Sequence, residues 1–187
     1  MRAPRNAVSG GVFLRFIAFL FACMLLALPA VAQEADRTDD PAFLDFQAGV
    51  RDIRNYKVPA VDLEYRSAFK ILWIAKPMVG ILASTRGAVY GYAGFAGDIY
   101  FGRRIVLTPS LAVGAYYKGQ DVNLGTWLPE FRSAVELAYR FDDRSRLGIM
   151  FNHISNAGIG KSNPGTETAM LTYSYPLNKL TELLSGK

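Results

Sequence analysis

The chain has 187 residues, 51% of them apolar, with 21 basic against 16 acidic side chains, one cysteine and one histidine. The apolar content excludes a disordered chain, and a single Cys with a single His excludes a disulfide framework and leaves too few ligands for a transition-metal centre. The formal charge of +5 is no nucleic-acid signature: Arg2, Arg5 and Arg15 lie in an N-terminal export segment, and without them 18 basic residues face 16 acidic ones, a formal +2.

That export segment comes first. Phe16 to Leu28 is an unbroken apolar run preceded by the three arginines. It is too short for a helical membrane span, which needs about 20 residues. Ala30-Val31-Ala32 supplies small residues at the cleavage-recognition positions, so residues 1–32 read as a signal peptide cut before Gln33. Cys23 leaves with it. Residues 33–41, with Glu34, Asp36, Asp39 and Asp40, read as a flexible lead-in. What remains is about 155 residues, the size of one domain.

From Ala42 the apolar residues recur with period two, the mark of strands with one apolar face. Leu44, Phe46, Ala48 and Val50 alternate with Asp45, Gln47, Gly49 and Arg51. Val61, Leu63 and Tyr65 alternate with Asp62, Glu64 and Arg66. Leu147, Ile149 and Phe151 alternate with Gly148, Met150 and Asn152. The pattern predicts strands over 43–51, 59–69, 76–84, 88–102, 104–118, 129–141, 145–156 and 167–177. Residues 71–83 are almost continuously apolar, and Pro77 is awkward inside a strand.

Eight such strands after a signal peptide predict a closed barrel. A lipocalin-like carrier would turn the apolar face inward; an outer-membrane barrel turns it outward and keeps charge in its lumen. Asp62, Glu64, Arg66, Arg132, Glu136 and Arg140 all share the face opposite the apolar one, and mixed signs there can pair. The expected fold is therefore an all-β, eight-stranded antiparallel outer-membrane β-barrel over residues 42–177. Connections after even strands should be short and periplasmic, and those near 119–128 and 157–166 long and extracellular. The connection after the third strand, near Thr85-Arg86-Gly87, is too short for that rule. Residues 178–187 follow as a tail in which Leu180, Leu183 and Leu184 have helical spacing.

The stretch Phe151 to Glu167, FNHISNAGIGKSNPGTE, holds the only histidine. His153 and Ser155 are two apart on a predicted strand and so share a face. A turn centred on Gly160 puts His153 directly opposite Glu167, on that same face. A nucleophilic serine needs a base, and the base needs an orienting acid. The parity of Leu147, Ile149 and Phe151 continues to His153 and Ser155, so these polar groups face lipid at the outer-leaflet level. Such residues are expensive there and are functional candidates by default. In a Gram-negative outer membrane that leaflet is lipopolysaccharide, which makes an acyl ester of a lipid the expected substrate.

His153-Ile154-Ser155-Asn156-Ala157-Gly158, then Asn163-Pro164-Gly165 and Glu167, resembles the lipid A 3-O-deacylase family (PagL type). The resemblance implies an outer-membrane serine esterase that removes the ester-linked 3-hydroxyacyl chain at position 3 of lipid A. It implies Ser155 as nucleophile, His153 as general base, Glu167 as the acid that orients the imidazole, and Asn156 in the oxyanion hole. It implies no metal or cofactor. Lipopolysaccharide would be the partner, with surrounding outer-membrane lipid and no nucleic acid. Arg51, Arg54, Lys57, Arg86, Lys118 and Lys161 lie in or near predicted extracellular loops, where they are candidates for lipid A phosphates. A non-enzymatic barrel and an outer-membrane phospholipase-type esterase remain the alternatives at this point. The sequence leaves the oligomeric state open.

Overall fold

The computed structural model describes residues 41–179. The expected export segment and cleavage site, the lead-in as far as Asp40 and the tail beyond Lys179 lie outside the described residues.

Among the described residues, nine strands run in chain order: β1 (Phe43–Arg51), β2 (Val58–Arg66), β3 (Lys76–Ser84), β4 (Val89–Ala96), β5 (Ile99–Phe101), β6 (Ile105–Tyr117), β7 (Glu130–Arg140), β8 (Arg146–Ser155) and β9 (Thr166–Pro176). Each pairs antiparallel with its neighbours, β1 pairs with β9, and β4 pairs with β6, so the sheet closes on itself. β4 and β5 both pair with β6 in one register, Ala96 opposite Ser110 and Ile99 opposite Leu107. They are two halves of one stave, and the barrel has eight. The break at Gly97-Asp98 has a local cause. Pro109 faces it from β6 and has no N–H to donate, so the ladder lapses there. Only the Gly97 N–H bonds across, to the Pro109 carbonyl at 3.0 Å.

The wall is inside out relative to a soluble barrel. Phe46, Val61, Leu111, Leu137, Leu147, Ile149 and Leu171 are exposed on the outside, whereas Asp45, Asp62, Glu64, Arg66, Arg132 and Glu136 are buried within. Buried charge is tolerable only when paired. Arg66 lies 3.0–3.3 Å from the carboxylates of Asp45, Glu64 and Glu136. Asp98, brought inward at the break, meets Lys76 at 2.8 Å and Arg146 at 3.0 Å. Tyr92 donates to Asp62 and Glu64 and lies under Arg132. The lumen is filled by these groups. Arg140, at the lower rim, is only half-buried.

Seven of the eight predicted strands sit within three residues of the observed ones at each end; the fourth is the stave that Pro109 divides. At the end where β1 begins and β9 finishes, the connections 102–104 and 141–145 are short, as expected of a periplasmic face. The connection 67–75 is longer, because β2 stops at Arg66 rather than running to Phe69. After β9, Leu177 packs with Ala42, Tyr65 and Ala68 below the wall. Lys179 then donates to Asp143 in the β7–β8 turn and holds that carboxyl down at about 2.

Candidate active site

β8 and β9 pair with His153 opposite Glu167 and Ile154 opposite Thr166, the register a turn centred on Gly160 requires. His153 and Ser155 point outward in line with exposed Phe151, Ile149 and Leu147, while Asn152, Ile154 and Met150 point in and are buried. His153 Nδ1 lies 3.3 Å from Glu167 Oε1, an ion pair whenever the ring is protonated. The imidazole is 41% exposed and the carboxylate only 10%, so the acid is covered and the ring is accessible. Ser155 stands two residues on, about 6.6 Å further along the strand at the usual rise. Among the described residues no hydrogen bond joins its hydroxyl to His153.

Three segments surround this pair. From the β1–β2 loop, the Ile53 N–H donates to the Glu167 carbonyl at 3.3 Å, and Arg54 Nη2 lies 3.0 Å from Glu167 Oε1. Arg54 and His153 thus converge on one carboxylate oxygen. From the β8–β9 loop, Gly165 lies against the ring: a Cβ on it would fall 2.6 Å from His153 Cε1 and 3.1 Å from Nε2. From β7, Ser133 is registered opposite His153 and Phe131 opposite Ser155.

The side chain of Asn156 is engaged by two loops. Its Nδ2 donates to the carbonyls of Leu124 and Ser162, both at 2.7 Å, and its Oδ1 accepts the Gly158 N–H at 2.9 Å. The amide is buried and fully engaged, tying the β6–β7 loop to the β8–β9 loop. The backbone N–H of Asn156 goes to Asn163 Oδ1 at 3.1 Å. Ala157 follows in a left-handed conformation, φ 53°, exposed beside Ser155, and its N–H makes no hydrogen bond among the described residues.

Below the pair, Phe151 faces Ala169 across the β8–β9 ladder. Small residues at Ala169 and Ala48 leave a depression of about 650 Å³ in the outer wall, flanked by Phe151, Ile149 and Leu171. Its lining is almost wholly apolar. The His–Glu pair therefore stands at the upper end of an open apolar groove on the lipid-facing side.

The profile of the lipid A 3-O-deacylase (PagL) family matches residues 63–176, most of the barrel. The chain belongs to this family. A 46-residue stretch is 37% identical to Lipid A deacylase PagL of Bordetella bronchiseptica, covering 25% of this chain and 26% of that protein. This chain thus aligns with about a quarter of that relative's length. The fold is similar to the crystal structure of the outer membrane enzyme PagL, with a TM-score of 0.59 at 19% identity, over 72% of this chain and 99% of that one. The closed eight-stave architecture is that of an outer-membrane barrel.

Reasoning from sequence singled out His153, Ser155, Asn156 and Glu167, and Arg54 as one of six loop cations. It gave neither Gly165 nor Ser133 its place beside the imidazole. Ser133 carried a signal, as the one polar residue interrupting the outward series Phe131, Val135, Leu137. Gly165 stood in the Asn163-Pro164-Gly165 motif, with nothing in the sequence to set it against the ring.

Proposed function

We propose that this protein is a serine esterase of the outer membrane that hydrolyses the 3-O-linked hydroxyacyl ester of lipid A, with Ser155, His153 and Glu167 as its triad. The observation that carries the reading is the pairing of His153 with the buried Glu167 carboxylate on the lipid-facing wall, directly above an apolar groove. A soluble esterase would bring its substrate to a cleft. Here the ester of a lipid in the outer leaflet meets the catalytic groups from the side, with its acyl chain lying down the groove. The groove contributes little transfer energy, because lipid tails are as apolar as the wall. Its contribution is orientation.

Glu167 faces Nδ1 and so fixes the tautomer in which Nε2 is the proton acceptor. Nε2 takes the proton from the Ser155 hydroxyl as Oγ bonds to the ester carbonyl carbon. The oxyanion is met by the exposed Ala157 N–H, aimed by the turn that the Asn156 amide braces. Asn156 acts in this scheme through the backbone it holds. The intermediate collapses; the sugar 3-O leaves with the proton returned by His153, and an acyl-enzyme remains. Water, activated by the same nitrogen, cleaves it to free 3-hydroxy acid and Ser155. Ser155 and His153 share a face, so their contact requires side-chain rotation and no change of register; such contacts commonly tighten only with substrate bound. Arg54 and the loop cations Lys57, Arg86, Lys118 and Lys161 are available to lipid A phosphates, whereas Arg51 is fully buried beside Asp121 and is not.

An outer-membrane phospholipase would use the same serine chemistry, so the test is the product. The refolded mature protein is given mixed micelles of lipid A and a glycerophospholipid, and released acids are identified by gas chromatography. Release of 3-hydroxy acids alone is expected. Release of non-hydroxylated chains from the glycerophospholipid would overturn the substrate assignment.

A further inference from the structure

The connection between β2 and β3 is out of keeping with its place. It sits at the periplasmic end, where turns are short and polar in barrels of this kind. Instead it spans residues 67–75 and presents Phe69, Ile71, Leu72, Trp73 and Ile74 to the outside, with Leu72 79%, Trp73 89% and Ile74 72% exposed. Among the described residues no other periplasmic connection has this character.

The backbone is a miniature hairpin. Ile71 and Ala75 exchange both backbone hydrogen bonds, at 2.8 and 3.0 Å, and the Ile74 N–H closes onto the Ile71 carbonyl at 3.2 Å. The two residues at the tip, Leu72 and Trp73, have φ of 50° and 60°. Glycine and asparagine are favoured at such positions, and bulky side chains are disfavoured. Leucine and tryptophan here work against local stability and gain nothing from packing, since both are exposed. A strained, exposed apolar tip points to a role outside the fold itself.

Its position says what covers it. Gly97 faces outward at the β4–β5 break, and a Cβ placed on it would lie 3.5 Å from the Ile74 carbonyl oxygen and 3.7 Å from Ile74 Cγ2. The turn therefore leans against the outer wall rather than hanging below the barrel. Its neighbours there are Phe95, Ile99 and Phe101, about half-exposed members of the lipid-facing surface. Tyr139 and Phe141 continue the aromatic rim on the same side. β2 and β3 end at Arg66 and Lys76, whereas the next stave runs on to Phe101. The turn occupies the sector of wall that these shorter strands leave empty.

We propose that residues 69–74 are a membrane-interface anchor, with Leu72, Trp73 and Ile74 inserted at the headgroup–acyl boundary of the periplasmic, glycerophospholipid leaflet. Tryptophan is favoured at that depth because its ring is amphipathic. The anchor fixes the height and tilt of the barrel, and with them the depth at which His153 and Ser155 stand in the opposite leaflet. The inference rests on the barrel's lipid-facing surface and is independent of the catalytic assignment.

Trp73 and Trp127 are the two tryptophans, so Trp127→Phe leaves Trp73 as the sole reporter. The full mature chain carrying that substitution is refolded into vesicles of phosphatidylcholine and phosphatidylglycerol, and Trp73→Phe in the natural background checks the difference spectrum. Expected are an emission blue-shifted from that of the protein in urea, strong quenching by phosphatidylcholine brominated near the top of its acyl chains, and little quenching by aqueous iodide. Water-like emission quenched by iodide would overturn the proposal and reserve the tip for a periplasmic protein. Protection from both quenchers would also overturn it, placing the tip under residues 180–187 or a second copy of the chain.

Discussion

Gly165→Ala is the sharpest test of how the imidazole is held. The added methyl would fall 2.6 Å from His153 Cε1. Carbon atoms prefer about 3.5 Å or more, so the ring must retreat by about 0.9 Å. A misplacement of about 1 Å in a catalytic group can lower the rate about 100-fold. Gly165 also has φ +64°, where a Cβ costs about 1–2 kcal/mol. That second cost falls on an extracellular loop and leaves the ladders of β8 and β9 intact. Gly87→Ala separates the two effects: φ is +77° there, and nothing lies within 4 Å of the added atom. Initial rates of lipid A deacylation are compared for both variants, with folding judged by heat-modifiable electrophoretic mobility. The expected result is an activity about 100-fold down for Gly165→Ala and near wild type for Gly87→Ala, both folded. A Gly165→Ala enzyme within about twofold of wild type would refute the claim that ring position governs the rate.

Other substitutions probe the surroundings. Ala169→Phe fills the groove beneath the His–Glu pair; lipid A deacylation should fall about tenfold or more while hydrolysis of a short-chain p-nitrophenyl ester persists, and equal loss of both would show the groove is not an acyl subsite. Asn156→Ala leaves the Leu124 and Ser162 carbonyls without their donors, at about 1–3 kcal/mol each where buried. Limited proteolysis should then cut within 118–129 or 156–165 in a barrel that stays folded, and resistance equal to wild type would count against the bracing role. Arg54→Ala removes a largely exposed partner of Glu167, worth at most about 1 kcal/mol. Thermal stability should be unchanged and kcat/KM lowered by tenfold or less, with Arg54→Lys between; a loss as large as that of His153→Ala would make Arg54 part of the chemistry.

Much of this was legible in the chain. Period-two alternation placed β1 and β3 to the residue and put Asp62, Glu64, Arg66, Arg132 and Glu136 inside, because each strand has one face in lipid and the other in a paired lumen. The same parity placed His153, Ser155 and Glu167 together on the outside. Three things were less visible. The break at Gly97-Asp98 depends on Pro109, which lies in another strand and matters only once the register is known. The end of β2 at Arg66 looks from sequence like three more residues of alternation, because an apolar turn against lipid has the composition of a strand. Contacts from distant loops, such as Arg54 on Glu167 and Gly165 on His153, are tertiary and have no periodic signature. The Asn156 side chain belongs here too: its residue type suits an oxyanion donor, and only the packing of two loops shows both amide hydrogens engaged.

The most direct measurement is mass spectrometry of lipid A after incubation with the detergent-refolded mature protein, wild type beside Ser155→Ala. The account predicts loss of one ester-linked 3-hydroxyacyl chain with the wild type and an unchanged spectrum with the variant, both barrels being folded. Unchanged lipid A with a folded wild type, or equal loss with both proteins, would contradict it.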